Sequence, residues 1–109
     1  MPDFGSSFSG LANDRKLTHS ELVRAIRFSI AAEYEAVQLY MQIAESIENQ
    51  VARAVLEDIS KEELVHAGEF LRLLQELEPE EEGYYREGAE EVEEIIATVK
   101  SSPEGAGIV

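Results

Sequence analysis

Residues 59–70 read ISKEELVHAGEF and place two polar side chains where a helix would carry apolar ones. Apolar residues recur at helical spacing on both sides, so residues 51–77 are predicted to form one helix. Glu63 and His66 fall on the same stripe, three residues apart, and therefore point the same way. An unpaired carboxylate on an apolar stripe costs several kcal/mol, and a metal cation is one partner that removes that cost. The stripe residues are Val51, Val55, Ile59, Phe70, Leu73, Leu74 and Leu77.

A second helical pattern precedes this segment. Thr18-His19-Ser20-Glu21 has the form of a capping box, and no Gly or Pro interrupts residues 18–49. Glu33 lies on the apolar stripe of this helix. Polar residues 48–50 then provide a tight connection, so the two helices are predicted to form an antiparallel hairpin. The apolar members of this stripe are Leu22, Ile26, Ile30, Val37, Tyr40, Ala44 and Ile47.

The second helix is expected to stop at Pro79, because proline disfavours helix in the residue before it. Apolar residues at helical spacing predict a shorter third helix from about Ala89 to Lys100. Residues 1–16 and 101–109 are rich in Gly and Ser and are predicted to be flexible tails. The folded domain is therefore expected to span residues 17–100, as an all-α protein without strands.

Composition excludes several classes of function. The chain has 109 residues, a formal net charge of −14 and no cysteine, which rules out disulfides, zinc fingers, iron–sulfur ligation and thiol catalysis. An acidic surface repels nucleic acid and anionic lipid, and it attracts cations. There is neither a long apolar run for a membrane span nor a secretory signal, so we expect no membrane partner. The lack of cysteine is compatible with a reducing cytoplasm, where we expect the protein to be located.

A hairpin with one apolar stripe per helix cannot enclose a core by itself. A twofold dimer supplies four helices at once, because the same surface then meets itself. Counted from residue 49, where the hairpin turns, Glu33 lies 16 residues before, and Glu63 and His66 lie 14 and 17 residues after. The three side chains are therefore expected at the same height in the hairpin.

The number of potential metal ligands in one chain indicates half of a di-metal site. Di-iron carboxylate bundles use one Glu from each of two helices and one Glu-x-x-His from each of the other two. One chain holds one of each, so a dimer would supply four Glu and two His. Mixed carboxylate and imidazole ligands suit iron, and manganese or zinc are open alternatives. Which carboxylate bridges the metals stays open.

Each residue also has a structural interpretation. Glu33 alone is explained as a stripe-edge residue that reaches water, and His66 alone as a hydrogen-bonded core histidine. Tyr40 is interpreted as a core residue, with hydrogen bonding to a ligand or electron transfer as the functional alternative. Glu62 and Glu69 flank the site as an acidic approach or a solvated rim. The coincidence of Glu33, Glu63 and His66 favours the metal site.

Two motifs resemble the encapsulated ferritins, which are short ferritin-like cargo proteins of encapsulin compartments. The motifs are Glu33-Tyr-Glu-Ala-Val-Gln-Leu-Tyr40 and Glu62-Glu-Leu-Val-His-Ala67, and the resemblance covers residues 17–100. It implies a ferroxidase that oxidises Fe(II) to Fe(III) with oxygen, with two irons per dimer held by Glu33, Glu63 and His66. It also implies a ring-shaped decamer inside an encapsulin shell that stores the mineral.

The same resemblance places an aromatic residue near the site at Tyr40 and a metal-access position at Glu35. Two departures stand against it: Ala32 occupies a position that is acidic in some relatives, and residues 104–109 resemble a targeting peptide only loosely. Two other functions remain open. One is a rubrerythrin-like di-metal peroxidase, which the lack of cysteine disfavours, and the other is a non-catalytic acidic helical assembly module.

Overall fold

The computed structural model describes residues 14–102, which form three α-helices and no strand. Helix α1 spans His19–Glu45, α2 spans Gln50–Leu77 and α3 spans Glu81–Ser101. Two compact units are present, one ending at Leu77 and the other beginning at Glu78. The all-α prediction and the hairpin of the first unit are confirmed. None of the described helices is long and apolar enough to cross a membrane.

The start of α1 is fixed by the predicted capping box. The backbone N–H of Glu21 donates to Thr18 Oγ1 at 3.1 Å, and the backbone N–H of Thr18 donates to Glu21 Oε1 at 2.9 Å. Arg15 adds a two-pronged contact, because its Nη1 and Nη2 each donate to one oxygen of the Glu21 carboxylate at 2.8 Å. Planar paired contacts of this kind hold their geometry better than a single hydrogen bond.

The hairpin turn occupies residues 46–49, and Gln50, expected in the connection, already belongs to α2. Asn49 opens α2: its Oδ1 accepts from the backbone N–H of Ala52 at 2.9 Å, which satisfies one of the free donors of the helix start. Arg53 Nε donates to the backbone oxygen of Ala44 at 3.0 Å. The end of α1 is thereby tied to the start of α2, which sets the register of the hairpin.

The core of the first unit lies between α1 and α2. Val23, Ile26, Ile30 and Leu74 form its main cluster, with Leu22, Phe70 and Leu77 packed against it. Nearer the turn the buried residues are smaller, namely Ala44, Ser60 and Ala67. The Ser60 hydroxyl donates to the backbone oxygen of Leu56 at 2.8 Å, so its burial leaves no unpaired donor.

The predicted stripe of α2 is wrong at its first turns. Val51 and Val55 are 75% and 51% exposed, and α2 instead buries Ser60, Ala67 and Leu74 at seven-residue spacing. Small side chains permit close approach of the two helices, so the helix turns this side toward α1. As a consequence, the edge of α2 that carries His66 is left half open.

Helix α3 is longer than predicted, since it begins at Glu81 rather than near Ala89. Two acidic residues, Glu81 and Glu82, occupy its first turn, where the helix dipole favours negative charge. Gly83 and Gly88 cost roughly 1 kcal/mol each relative to alanine, which is not enough to stop a helix. The predicted tails lie mostly outside the described residues, at residues 1–13 and 103–109.

The contacts of Glu21 predict an acid-sensitive helix start. Hydrogen bonds from Arg15 and then from the Thr18 backbone lower the pKa of Glu21 from 4.5 to about 2. A lowered pKa contributes stability that is present above about pH 4.5 and is lost as the pH falls toward about 2. The unfolding temperature of the wild type, followed by circular dichroism, should therefore fall more steeply over this range than that of Glu21→Gln. Glu48→Gln, a change outside the helices, should behave as wild type, and identical slopes for all three proteins would contradict the account.

Candidate metal centre

Glu33 on α1 meets Glu63 and His66 on α2 near the middle of the hairpin. Each residue offers one ligand atom, and these atoms lie within 4.8 Å of one another. Among the described residues this is the one group of three or more side chains suited to hold a metal ion. The antiparallel register brings the three residues to the same height, and the three-residue spacing puts Glu63 and His66 on one side of α2.

The three side chains face each other without bonding. His66 Nδ1 lies 3.8 Å from Glu33 Oε2 and 3.6 Å from Glu63 Oε2, and both separations exceed hydrogen-bond length. Glu33 Oε2 is buried and has no hydrogen-bond partner among residues 14–102. A buried acceptor without a partner bears a desolvation cost of about 1–3 kcal/mol, and more if it is charged. The centre of the group is therefore short of a positive charge.

The spacing of the ligand atoms matches a transition-metal ion after small adjustments. Bonds from zinc to His nitrogen or carboxylate oxygen measure about 2.0–2.2 Å, so two such ligands at 90–120° lie about 3.0–3.6 Å apart. The separations of 3.6, 3.8 and at most 4.8 Å are slightly wider than this. Side-chain movements of about an ångström would close the group, since carboxylates and imidazole turn about flexible χ angles. The donor set is one that iron, manganese and zinc accept.

Burial differs across the group. The side chains of Glu33 and Glu63 are 19% exposed, whereas that of His66 is 48% exposed. No lysine or arginine among residues 14–102 forms an ion pair with either carboxylate, and His66 is their cationic neighbour only when protonated. The group thus opens toward one face of the hairpin, on the His66 side. We call this surface of the hairpin, on which the side chain of His66 is exposed, the site face.

The other predicted site residues do not join the group. Tyr40 and Glu35 are both half-buried on α1. Glu35 lies about 200° around the helix from Glu33, because successive residues are about 100° apart. Tyr40 lies two turns further along α1. All three members of the group are predicted from the sequence, which carries no signal that one particular oxygen of Glu33 is left without a partner among the described residues.

Comparison with known proteins identifies the family. The rubrerythrin family model matches residues 25–105. The crystal structure of the encapsulated ferritin domain from Pyrococcus furiosus superposes with a TM-score of 0.74 at 38% identity, covering 80% of this chain and 89% of that one. The chain belongs to the encapsulated ferritins, within the rubrerythrin family.

Curated relatives of this encapsulated ferritin are longer proteins. It is 40% identical over 82 residues to the ferritin-like–encapsulin shell fusion protein of Pyrococcus furiosus, a match that covers 75% of this chain and 24% of the relative. It is 38% identical over 76 residues to the encapsulin nanocompartment cargo protein EncC of Myxococcus xanthus, covering 70% of this chain and 58% of the relative. The chain thus spans less than two thirds of either relative.

The unpaired Glu33 oxygen predicts that this encapsulated ferritin is destabilised when no metal is present. With a chelator added, Glu33→Met should raise the free energy of unfolding in urea by about 1–3 kcal/mol, because a buried acceptor without a partner is removed. Glu35→Met is the matched control on the same helix and should change it by no more than about 0.5 kcal/mol. Equal effects of the two substitutions, or a loss of stability specific to Glu33→Met, would contradict this account of the site.

Proposed function

We propose that this chain is a ferroxidase that oxidises Fe(II) to Fe(III) with dioxygen at a di-iron site shared by two copies. The observation that carries the proposal is the buried, unpartnered Glu33 oxygen facing Glu63 and His66. Oxygen and nitrogen donors in this mixture suit iron. Membership of the encapsulated ferritins within the rubrerythrin family supports iron over a purely structural cation.

A second copy is needed because one chain holds half of the expected ligands. Di-iron carboxylate bundles use four Glu and two His from four helices, and this chain contributes two Glu and one His from two helices. The open side of the group is also the side from which a partner would approach. In the proposed dimer, the two sets of Glu33, Glu63 and His66 together hold two irons.

The pattern of α1 supports a twofold dimer through the site face. Small and large apolar residues form a stripe beside Glu33 whose inner four members, Phe28, Ala32, Ala36 and Leu39, are nearly symmetric about residue 34. Ala32 and Ala36 lie at the centre of these four and the larger Phe28 and Leu39 flank them, so an antiparallel copy of α1 would fit against this part of the stripe. Exposed stripe residues of this size mark contact surfaces. The stripe consists of Ala25, Phe28, Ala32, Ala36, Leu39 and Ile43, and its three large members are 39–52% exposed.

In this proposal the protein supplies position and charge. The carboxylates of Glu33 and Glu63 and the Nδ1 atom of His66 bind Fe(II), which is the substrate. When bound, iron supplies the electrons that reduce dioxygen. The net charge of −14 draws Fe(II) toward the molecule. Glu35 is proposed as an access position for the cation, and Tyr40 as an aromatic neighbour of the site.

The proposal extends to assembly. The relatives' names describe an encapsulin shell fusion and an encapsulin cargo protein. We propose that dimers of this chain associate into a ring, with a decamer as the expected size, inside an encapsulin shell in the cytoplasm. In this arrangement the shell holds the oxidised iron, because a hairpin dimer offers no storage cavity of its own.

A di-metal peroxidase is the second candidate, because the matching family model is that of rubrerythrin. The two activities share the ligand set and differ in the oxidant. Oxidation of bound Fe(II) by hydrogen peroxide much faster than by dioxygen would favour the peroxidase. A dimer that forms without metal and takes up none would indicate an assembly module whose polar residues satisfy one another.

Native mass spectrometry with oxygen-uptake measurements tests the ferroxidase proposal. Anaerobic Fe(II) should load wild-type protein with two irons per dimer, and air should then oxidise them. Glu63→Ala should lose loading and at least about a hundredfold of the oxidation rate, since removing one ligand disrupts the whole site. Glu57→Ala, an exposed acid on the same helix, should behave as wild type. Full loading and oxidation by Glu63→Ala would contradict the proposal.

A further inference from the structure

We propose that Glu62 orients His66 by accepting a hydrogen bond from the ring nitrogen that faces away from the metal group. The inference rests on the proposed metal site, since it concerns how one ligand of that site is held. Ligand histidines commonly donate their second N–H to a carboxylate, which fixes the ring and its tautomer. The question is which residue does so in this chain.

The direction of the His66 ring defines where the acceptor must lie. Its Nδ1 atom faces Glu33 and Glu63, at 3.8 and 3.6 Å from their Oε2 atoms. The two nitrogens lie on different edges of an imidazole ring, so Nε2 points away from the group and toward the site face. In one chain that face is open, because the His66 side chain is 48% exposed. A partner covering it would remove water from Nε2 and leave the donor in need of an acceptor.

Four residues of α2 can reach His66, because side chains meet at spacings of three and four. Glu63 already faces Nδ1, and Phe70 is apolar and packs against the core. Glu62 and Glu69 remain, and both are exposed carboxylates without a hydrogen bond or ion pair among the described residues. Because Nδ1 faces Glu63, an acceptor for Nε2 is expected on the opposite side of His66. At about 100° per residue, both Glu62 and Glu69 lie on that opposite side.

Two features favour Glu62 over Glu69. Viewed down the helix, Glu62 is offset from His66 by about 40° and Glu69 by about 60°. An acid four residues before a base is also the better orientation on a helix than the reverse order. Glu62 therefore combines the smaller offset with the favoured order. Glu69, three residues after His66, has the same chemistry and serves as a matched control.

Binding of Co(II) alone to the full-length protein, followed by its visible absorption, separates the two residues. Glu62→Ala should weaken Co(II) binding by about 10–100-fold, the usual cost of losing a partner of a ligand histidine. Glu69→Ala should stay within about threefold of wild type, and Glu62→Gln should recover part of the affinity because an amide oxygen also accepts. Equal losses for both alanine variants would overturn the proposal, since they would reflect charge alone.

Exchange of the His66 Nε2 proton with water is a second measurement, and a purely structural role of Glu62 would not change it. In Zn(II)-loaded protein, nitrogen-15 NMR should show the His66 Nε2 proton in slow exchange in the wild type and in Glu69→Ala, and in fast exchange in Glu62→Ala. The same spectrum in all three proteins would overturn the role of Glu62 while leaving the metal site intact. A wild type that binds neither metal would instead refute the proposed function.

Discussion

The carboxylate of Glu33 is the constraint on which the rest of the arrangement depends. It lies on the partly buried side of α1, and one of its oxygens has no hydrogen-bond partner in the described part of the chain. A carboxylate in such a position must be protonated, solvated or paired. Its neighbours in the group are the carboxylate of Glu63 and the imidazole of His66, and a neutral imidazole leaves the charges of the two carboxylates uncompensated unless a cation binds between them. The fold thus brings two carboxylates together without a compensating positive charge, which a metal ion would supply.

The same constraint connects the site to the surface of the hairpin. Because α2 buries Ser60, Ala67 and Leu74 against α1, the edge carrying His66 stays half open. Large apolar residues of α1, namely Phe28, Leu39 and Ile43, are also exposed. In the proposed dimer, the second copy completes the ligand set and covers the exposed apolar residues. This coupling explains how a short chain without disulfides could link stable assembly to metal binding.

Much of this was predictable from particular residues. The capping box at Thr18 and Glu21, the uninterrupted stripe and Pro79 gave the ends of the hairpin, and the spacing of Glu33, Glu63 and His66 gave the group. The start of α3 is not evident from the apolar spacing, which begins only near Ala89, whereas the acids in its first turn favour helix from Glu81. The buried side of α2 was missed because Ser60 and Ala67 look neutral in a hydrophobic pattern. Their small size, which allows close packing, matters only once α1 is in place.

The central claim is that two chains share one di-metal site, and diffraction at the iron absorption edge from crystals of iron-loaded protein tests it most directly. The account predicts two anomalous peaks about 3.5–4 Å apart, the usual separation in two-metal sites, lying between two chains related by a twofold axis. Glu33, Glu63 and His66 of both chains should surround them. A single peak held entirely within one chain, or peaks at other carboxylates with this group empty, would contradict the account.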